Sequence, residues 1–163
     1  GPMPEDILGE ATSLLERLTG NDAFHPDQFE TIEELVANRG KVFLVQRTGW
    51  GKSAVYFIAT SMLRRQGLGP TLVISPLLAL MRNQLQHAER LGLRAATINS
   101  SNNDEWPRTE ERLGNNEVDL LLITPERFAN QHFQENIIIL VILFLKKINN
   151  IHILYVIVMV IMM

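Results

Sequence analysis

A glycine-containing loop between an apolar run and a helical pattern constrains this chain more than any other feature. The loop reads Gln46-Arg47-Thr48-Gly49-Trp50-Gly51-Lys52-Ser53 and follows the apolar run Val42–Val45. Gly49 and Gly51 allow a tight turn and a close approach of backbone amides to an anion. The helix predicted over Lys52–Arg65 adds its positive N-terminal end. A strand, a loop and a helix in this order are typical of a phosphate-binding loop.

The residues that close this loop suit a nucleoside triphosphate. Lys52 would reach the β- and γ-phosphates, and the Ser53 hydroxyl would ligate Mg²⁺. The strict motif has glycine where this chain has Gln46, although the shorter Thr-Gly-x-Gly-Lys-Ser core is intact. The competing interpretation is a glycine-rich turn that holds no ligand.

Short apolar runs alternate with helical patterns along the rest of the chain. Helices are predicted at Pro4–Leu18, Asp27–Asn38, Leu77–Leu91, Asp104–Leu113 and Pro125–His132. Further strands are predicted at Thr71–Ser75, Arg94–Ile98 and Val118–Ile123. Strands that alternate with helices indicate an α/β fold, with a parallel sheet flanked by helices on both faces.

Charge and cysteine content exclude several classes of protein. The 163 residues carry a formal net charge of −3 and contain no cysteine. A disulfide scaffold, a cysteine-based zinc site and a thiol nucleophile are therefore excluded. Binding to nucleic acid would have to come from a local patch or from backbone amides, because the chain is not basic overall. Without cysteine or a visible export signal, we expect a cytoplasmic protein.

The C-terminal segment 137–163 differs in composition from the rest of the chain. Nine of its 27 residues are Ile, and it contains no Gly, Pro, Asp, Glu or Arg. Its apolar runs, Ile137–Leu145 and Ile153–Met163, are each too short to span a bilayer, so we expect no membrane partner. Both runs have the length of a buried strand, and the first falls where the next strand is due. We favour a third interpretation, in which most of this segment is not the native continuation of the protein.

Four segments together resemble the RecQ family of superfamily 2 helicases. In family order they look like motif 0, motif I, motif Ia and a Pro-Glu-Arg motif: Phe24-His25-Pro26-Asp27-Gln28, Thr48–Ser53, Thr71–Gln84 and Leu121–Phe128. The resemblance implies a RecA-like P-loop NTPase lobe, here incomplete, and a second such lobe in the full-length protein. It also implies DNA-stimulated ATP hydrolysis coupled to 3′-to-5′ strand separation, with roles in DNA repair and recombination.

The resemblance also implies which residues bind the ligands. For ATP they are Phe24, His25, Gln28, Arg47, Thr48, Gly49, Trp50, Gly51, Lys52 and Ser53, with Lys52 catalytic and Ser53 a Mg²⁺ ligand. For DNA, either single-stranded or at a junction or duplex end, they are Ser75, Pro76, Leu77, Arg82, Asn83, Thr124 and Arg127. Gln28 would read the adenine edge, because a side-chain amide both donates and accepts hydrogen bonds. His25 replaces the usual Arg, and Asn21 stands where family members often have a stacking aromatic residue.

The carboxylates that the family uses for hydrolysis are missing from this sequence. The family places Asp-Glu-x-His at the end of a strand, whereas Lys146-Lys147 follows the run Ile137–Leu145. The pair Asp104-Glu105 follows polar residues, and we predict that it begins a helix. We therefore expect this chain alone to bind nucleotide weakly and to turn over little of it.

These observations divide the chain into four parts. Residues 1–3 are a tag scar and start, residues 4–40 the helices with the adenine motif, residues 41–136 the ATP-binding lobe, and residues 137–163 the anomalous segment. Two other functions stay open. One is a non-hydrolysing nucleotide- or DNA-binding module, and the other is a different P-loop enzyme, such as a small kinase or another superfamily 2 translocase.

Overall fold

The computed structural model describes residues 4–38, 43–47, 52–74, 85–99, 104–124 and 157–161. The helices are α1 (Pro4–Thr19), α2 (Gln28–Ala37), α3 (Lys52–Arg65) and α4 (Trp106–Gly114). The strands are β1 (Phe43–Arg47), β2 (Thr71–Ile74), β3 (Ala95–Asn99), β4 (Leu120–Thr124) and β5 (Ile157–Ile161). Residues 85–89 are also helical and match the end of the predicted helix Leu77–Leu91; the remainder of that helix, and the helix predicted at Pro125–His132, lie outside the described residues.

The five strands form one parallel sheet in the order β1-β5-β2-β4-β3. Side chains on both of its faces are buried. One face joins the core that α1, α2 and α3 share, through Val73, Leu120 and Leu122. Successive strand residues point to opposite faces, and Leu72 and Leu121, on the other face, are buried as well. A parallel sheet buried on two faces confirms the predicted α/β class.

Helix α3 is the most deeply placed helix of the described chain. Its residues 55–63 are all buried, and it packs against both α1 and α2. The Thr60 hydroxyl lies 2.6 Å from that of Thr71, which joins α3 to the start of β2. The helix ends at Arg65, and the φ of 78° at Gly67 then lets the Leu68 N–H donate to the Leu63 carbonyl at 3.0 Å. The predicted bounds of α3 are confirmed.

Six apolar residues at helical spacing predict α1, and the structure buries five of them, whereas the sixth, Leu8, is 46% exposed. The buried residues recur three or four positions apart and are Ile7, Ala11, Leu14, Leu15 and Leu18. At its C-terminal end, the Leu18 carbonyl accepts a hydrogen bond from Arg90 Nη1 at 2.9 Å. A guanidinium there satisfies an open carbonyl and favours the negative end of the helix dipole.

A buried carboxylate joins the elements at the amino-terminal edge of the sheet. Asp119 precedes β4, and its oxygens accept hydrogen bonds from Arg64 Nε at 2.7 Å and from Arg94 Nε and Nη2 at 3.1 Å each. The Arg94 backbone N–H adds a bond of 2.8 Å. Burial raises the pKa of Asp119, but the hydrogen bonds from Arg94 and Arg64 outweigh it and hold that pKa below its usual value. The same pairing raises the pKa of Arg94.

Residues of the anomalous segment occupy the interior of the sheet. Strand β5 lies between β1 and β2 and pairs with both of them in parallel. The strand interpretation therefore holds for Ile157–Ile161, which lies between two other strands, while Ile137–Leu145 lies outside the described residues. That most of segment 137–163 is not the native continuation stays a prediction. Within the described part of the chain, no helix has both the length and the apolar character needed to cross a bilayer.

Helix α4 begins two residues later than predicted. Asp104 and Glu105 form a short 3₁₀ turn, and the regular helix starts at Trp106. Pro107 lies in the first helical turn, where its missing N–H costs no hydrogen bond and its fixed φ suits a helix. The prediction that this acidic pair lies at a helix start, rather than after an apolar strand, is confirmed.

Candidate nucleotide and nucleic-acid sites

Helix α3 begins at Lys52 as predicted, but the strand before the glycine loop ends two residues later than the run Val42–Val45. Gln46 and Arg47, predicted to lie in the loop, are the last residues of β1. The loop residues Thr48, Gly49, Trp50 and Gly51 lie outside the described residues. The first turn of α3 contains no acidic side chain, so no carboxylate of this helix competes for its N-terminal amides. The start of α3 therefore suits an anionic group.

Ser53, the proposed metal ligand, lies in the position that the motif predicts, directly after the first residue of α3. It is half-buried in the first turn of α3. Among the described residues, no three His, Cys, Asp or Glu side chains form a group that could hold a metal ion. Mg²⁺ commonly takes few protein ligands and completes its shell with phosphate oxygens and water. A metal ion here would depend on the phosphates for most of its ligands.

The strand register brings the ends of β1 and β2 to one edge of the sheet. Arg47 pairs with Ile161 of β5, and Ile74 pairs with Met159 of the same strand. One strand therefore separates β1 from β2, a distance of about 10 Å at ordinary strand spacing. Open α/β sheets bind ligands outside this carboxyl edge. Strands β1 and β2, which precede the glycine loop and Ser75 in the chain, both end there.

The candidate DNA-binding residues follow strands that end at this same edge. Ser75, Pro76, Leu77, Arg82, Asn83 and Arg127 lie outside the described residues. Thr124 is the last residue of β4 and pairs with Asn99 of β3. Ile123 of β4 pairs with Ile74, the last residue of β2. The two strands that precede the predicted DNA-contacting segments therefore end within one residue of each other in register.

Gln28 is the first residue of α2, and its side chain turns back onto the preceding residues. Its Oε1 accepts a hydrogen bond from the His25 N–H at 2.7 Å, and its own N–H donates to the His25 carbonyl at 3.2 Å. Gln28 is only 9% exposed, whereas His25 is exposed. The Phe24 and Phe29 rings are 5.9 Å apart, tilted by 40°, and pack against the core. The adenine motif therefore folds as a compact turn around the Gln28 amide.

Sequence reasoning missed three features, two in this turn and one in α3. Asp27 has a φ of 69°, in the left-handed region, and Thr31 donates two hydrogen bonds to its carbonyl. The tolerance of Asp for this conformation was the available signal. Tyr56, further along α3, is buried, and burial raises its pKa.

Comparison with known proteins agrees with the geometry. The DEAD/DEAH box helicase family matches residues 25–156. The chain belongs to this family. It is 36% identical over 125 residues to the ATP-dependent DNA helicase Q1 of Mus musculus, which covers 75% of the chain and 18% of the relative. It is 36% identical over 128 residues to the ATP-dependent DNA helicase RecQ of Bacillus subtilis, covering 78% of the chain and 21% of the relative. It is also 36% identical over 118 residues to the ATP-dependent DNA helicase RecQ of Synechocystis, covering 72% of the chain and 24% of the relative.

Within the DEAD/DEAH box family, these relatives of the chain are RecQ and Q1 helicases. The chain spans about a fifth of the length of the relatives it matches. The family match begins within motif 0, at His25, and includes the glycine loop and strands β1 to β4, so the chain is part of the N-terminal lobe of a RecQ-like superfamily 2 helicase. The predicted RecA-like fold, incomplete in these residues, is confirmed.

Proposed function

We propose that this chain is the ATP-binding part of a RecQ-like helicase that unwinds DNA in the 3′-to-5′ direction. One observation carries the proposal. The sheet order and register bring the end of β1, which leads into the glycine loop, and the end of β2, which leads into the DNA-contacting segment, to one edge. A triphosphate and a nucleic-acid backbone could then lie side by side.

The nucleotide would be held at three points. Gln28 reads the adenine edge, the loop amides with Lys52 bind the phosphates, and Ser53 contributes a hydroxyl to Mg²⁺. The metal ion would supply charge neutralisation at the phosphates. The start of α3, free of acidic side chains in its first turn, supports this arrangement. We also propose a cytoplasmic, nucleoid-associated location, in keeping with a DNA substrate.

DNA would be held through its phosphates by residues after β2 and β4, from Ser75 and from Thr124 onward. Contacts of this kind are independent of base sequence and weaken as salt concentration rises. The second RecA-like lobe of the full-length protein would complete the enzyme. These 163 residues contain no Asp-Glu-x-His, so the chain alone should bind nucleotide and DNA with little turnover.

An ATPase assay joined to a DNA-binding titration tests the proposal. We expect single-stranded oligonucleotides of unrelated sequence to bind with similar affinity, and binding to fall steeply between low and moderate salt. We expect phosphate release near background with or without DNA. Fast DNA-stimulated turnover by these 163 residues would contradict the expected inactivity, and DNA binding that ignores salt would contradict the phosphate contacts.

A second candidate function is a module that binds nucleotide or DNA without hydrolysis in the full-length protein as well. The strand that lies between β1 and β2 favours it, because β5 reads Ile-Val-Met-Val-Ile and brings no carboxylate to the site. The full-length gene product separates the two candidates. DNA-stimulated ATP hydrolysis supports the helicase, and binding without hydrolysis supports the module.

A further inference from the structure

Asp27, just before Gln28, has a backbone conformation that few residues other than glycine adopt. Its φ is 69° and its ψ is −7°, in the left-handed region. A residue that precedes a helix ordinarily has extended dihedrals and caps the helix with its side chain, but Asp27 makes no such side-chain bond. Conformations of this kind persist where the surrounding structure determines them, and they concentrate at functional sites.

Thr31 donates two hydrogen bonds to the Asp27 carbonyl. Its backbone N–H donates to the Asp27 carbonyl at 3.2 Å, and its hydroxyl donates to the same oxygen at 2.8 Å. Two donors on one carbonyl fix the orientation of the peptide group that follows Asp27. The direction in which α2 leaves the turn is fixed with it.

The consequence appears at Gln28. The reversal at Asp27 brings this side chain back to His25, where Oε1 accepts the backbone N–H at 2.7 Å. An amide carbonyl accepts hydrogen bonds and an amide nitrogen donates them. The His25 N–H therefore fixes the Gln28 carbonyl oxygen on its own side and the amide nitrogen on the other. The Gln28 amide is thus oriented by the turn, with 9% of the residue exposed.

We propose that Asp27 and Thr31 are positioning residues that set the purine preference of this chain through the Gln28 amide. The inference rests on the proposed ATP site. Adenine offers an amine donor where guanine offers a carbonyl acceptor. An amide held in one orientation distinguishes the two bases, and an amide free to turn over distinguishes them poorly. Phosphate binding at the start of α3 does not involve this turn.

The experiment compares affinities for ATP, GTP and inorganic tripolyphosphate, each with Mg²⁺, by calorimetric titration of the 163-residue chain. Thr31→Val removes the hydroxyl donor at nearly constant shape, and Thr31→Ser retains it. Asp27→Val places a β-branched residue in the left-handed region, whereas Asp27→Gly keeps that region accessible. Thr19→Val is the matched control, since the Thr19 hydroxyl donates to the Leu15 carbonyl, also four residues back, at 2.8 Å within α1.

We expect the ATP-over-GTP preference to fall about fivefold in Thr31→Val and in Asp27→Val, the equivalent of one ordinary hydrogen bond. Affinity for tripolyphosphate should stay unchanged in both. Thr31→Ser, Asp27→Gly and Thr19→Val should keep the wild-type preference. Circular dichroism checks folding. If Asp27→Val does not fold, the comparison of Thr31→Val with Thr31→Ser, at a half-buried position, tests the proposal alone.

The possible failures are distinguishable. An unchanged preference in Thr31→Val overturns the positioning role, and so does an equal loss in Thr19→Val, because general loosening would then explain the result. A wild-type chain that binds tripolyphosphate and both nucleotides equally overturns the inference while the phosphate site stands. A wild-type chain that binds none of the three overturns both the inference and the proposed function.

Discussion

Two adjacent arginines at the end of α3 should differ sharply in what they contribute to stability. Arg64 pairs with Asp119 at 2.7 Å, and their side chains are 14% and 9% exposed. Arg65 pairs with Glu10 at 3.1 Å, and those side chains are 59% and 34% exposed. We expect Arg64→Met to destabilise the lobe and Arg65→Met to change little, although both remove one guanidinium from one helical turn.

The magnitude follows from the partners that remain. Breaking a buried ion pair by removing one member costs about 3–5 kcal/mol, because the other charge is left buried. Arg94 keeps three hydrogen bonds to Asp119, from its backbone N–H, Nε and Nη2, and so lowers this cost. We therefore expect Arg64→Met to lose about 2–3 kcal/mol. An exposed pair such as Arg65 with Glu10 contributes about 0–1 kcal/mol.

Urea denaturation followed by far-ultraviolet circular dichroism measures both variants. A loss of 2–3 kcal/mol corresponds to a fall in melting temperature of about 4–12 °C for a domain of this size. The m-value should stay constant, since both variants expose the same surface on unfolding. Equal losses in the two variants, or a larger loss in Arg65→Met, would refute the assignment of stability to the buried carboxylate.

Three more predictions follow from single positions. The pKa of Asp119 is lowered on folding, so its stabilising contribution is fully present above the unfolded value of about 3.9 and is lost as pH falls through the folded pKa. Urea midpoints between pH 6 and pH 2 should therefore fall less steeply in Asp119→Asn than in the wild type. Gly9 lies exposed within α1 and Gly67 has a φ of 78°, both with open space around an added Cβ. Thermal melts should show Gly9→Ala stabilising by about 0.5–1 kcal/mol and Gly67→Ala destabilising by about 1 kcal/mol. Val158→Pro removes a donor from the interior strand β5, so circular dichroism should show a lobe that is unfolded or at least 3 kcal/mol less stable; native stability would contradict the sheet order.

Local pattern was sufficient to predict α1, α2, α3 and α4 to within two residues at each end. The spacing of Ile7, Ala11, Leu14 and Leu18 predicts the buried face of α1, and the glycine at position 67 predicts the end of α3. These signals lie within a few residues of what they determine. The order of the strands has no such local signal, because β5 lies between β1 and β2 although it follows β2 by more than 80 residues in the chain.

The candidate site, like the fold, has one part that local sequence predicts and another that it does not. The glycine loop and Gln28 are visible as motifs, and the structure confirms the strand and helix that flank the loop. The orientation of the Gln28 amide depends on the left-handed Asp27 and on Thr31, which no period or motif marks. The Asp119 pairs join residues 55 and 25 positions apart, so a single sequence carries no sign of them.

The affinity of the chain for ATP with Mg²⁺, measured in the wild type and in Lys52→Ala, tests the central claim most directly. If the loop between β1 and α3 binds a triphosphate, losing the ammonium should weaken ATP binding about 10- to 100-fold, the worth of one charged hydrogen bond. Arg65→Ala, at the far end of the same helix, should leave the affinity unchanged. ATP binding that is absent in the wild type, or equally strong in Lys52→Ala, would contradict the claim.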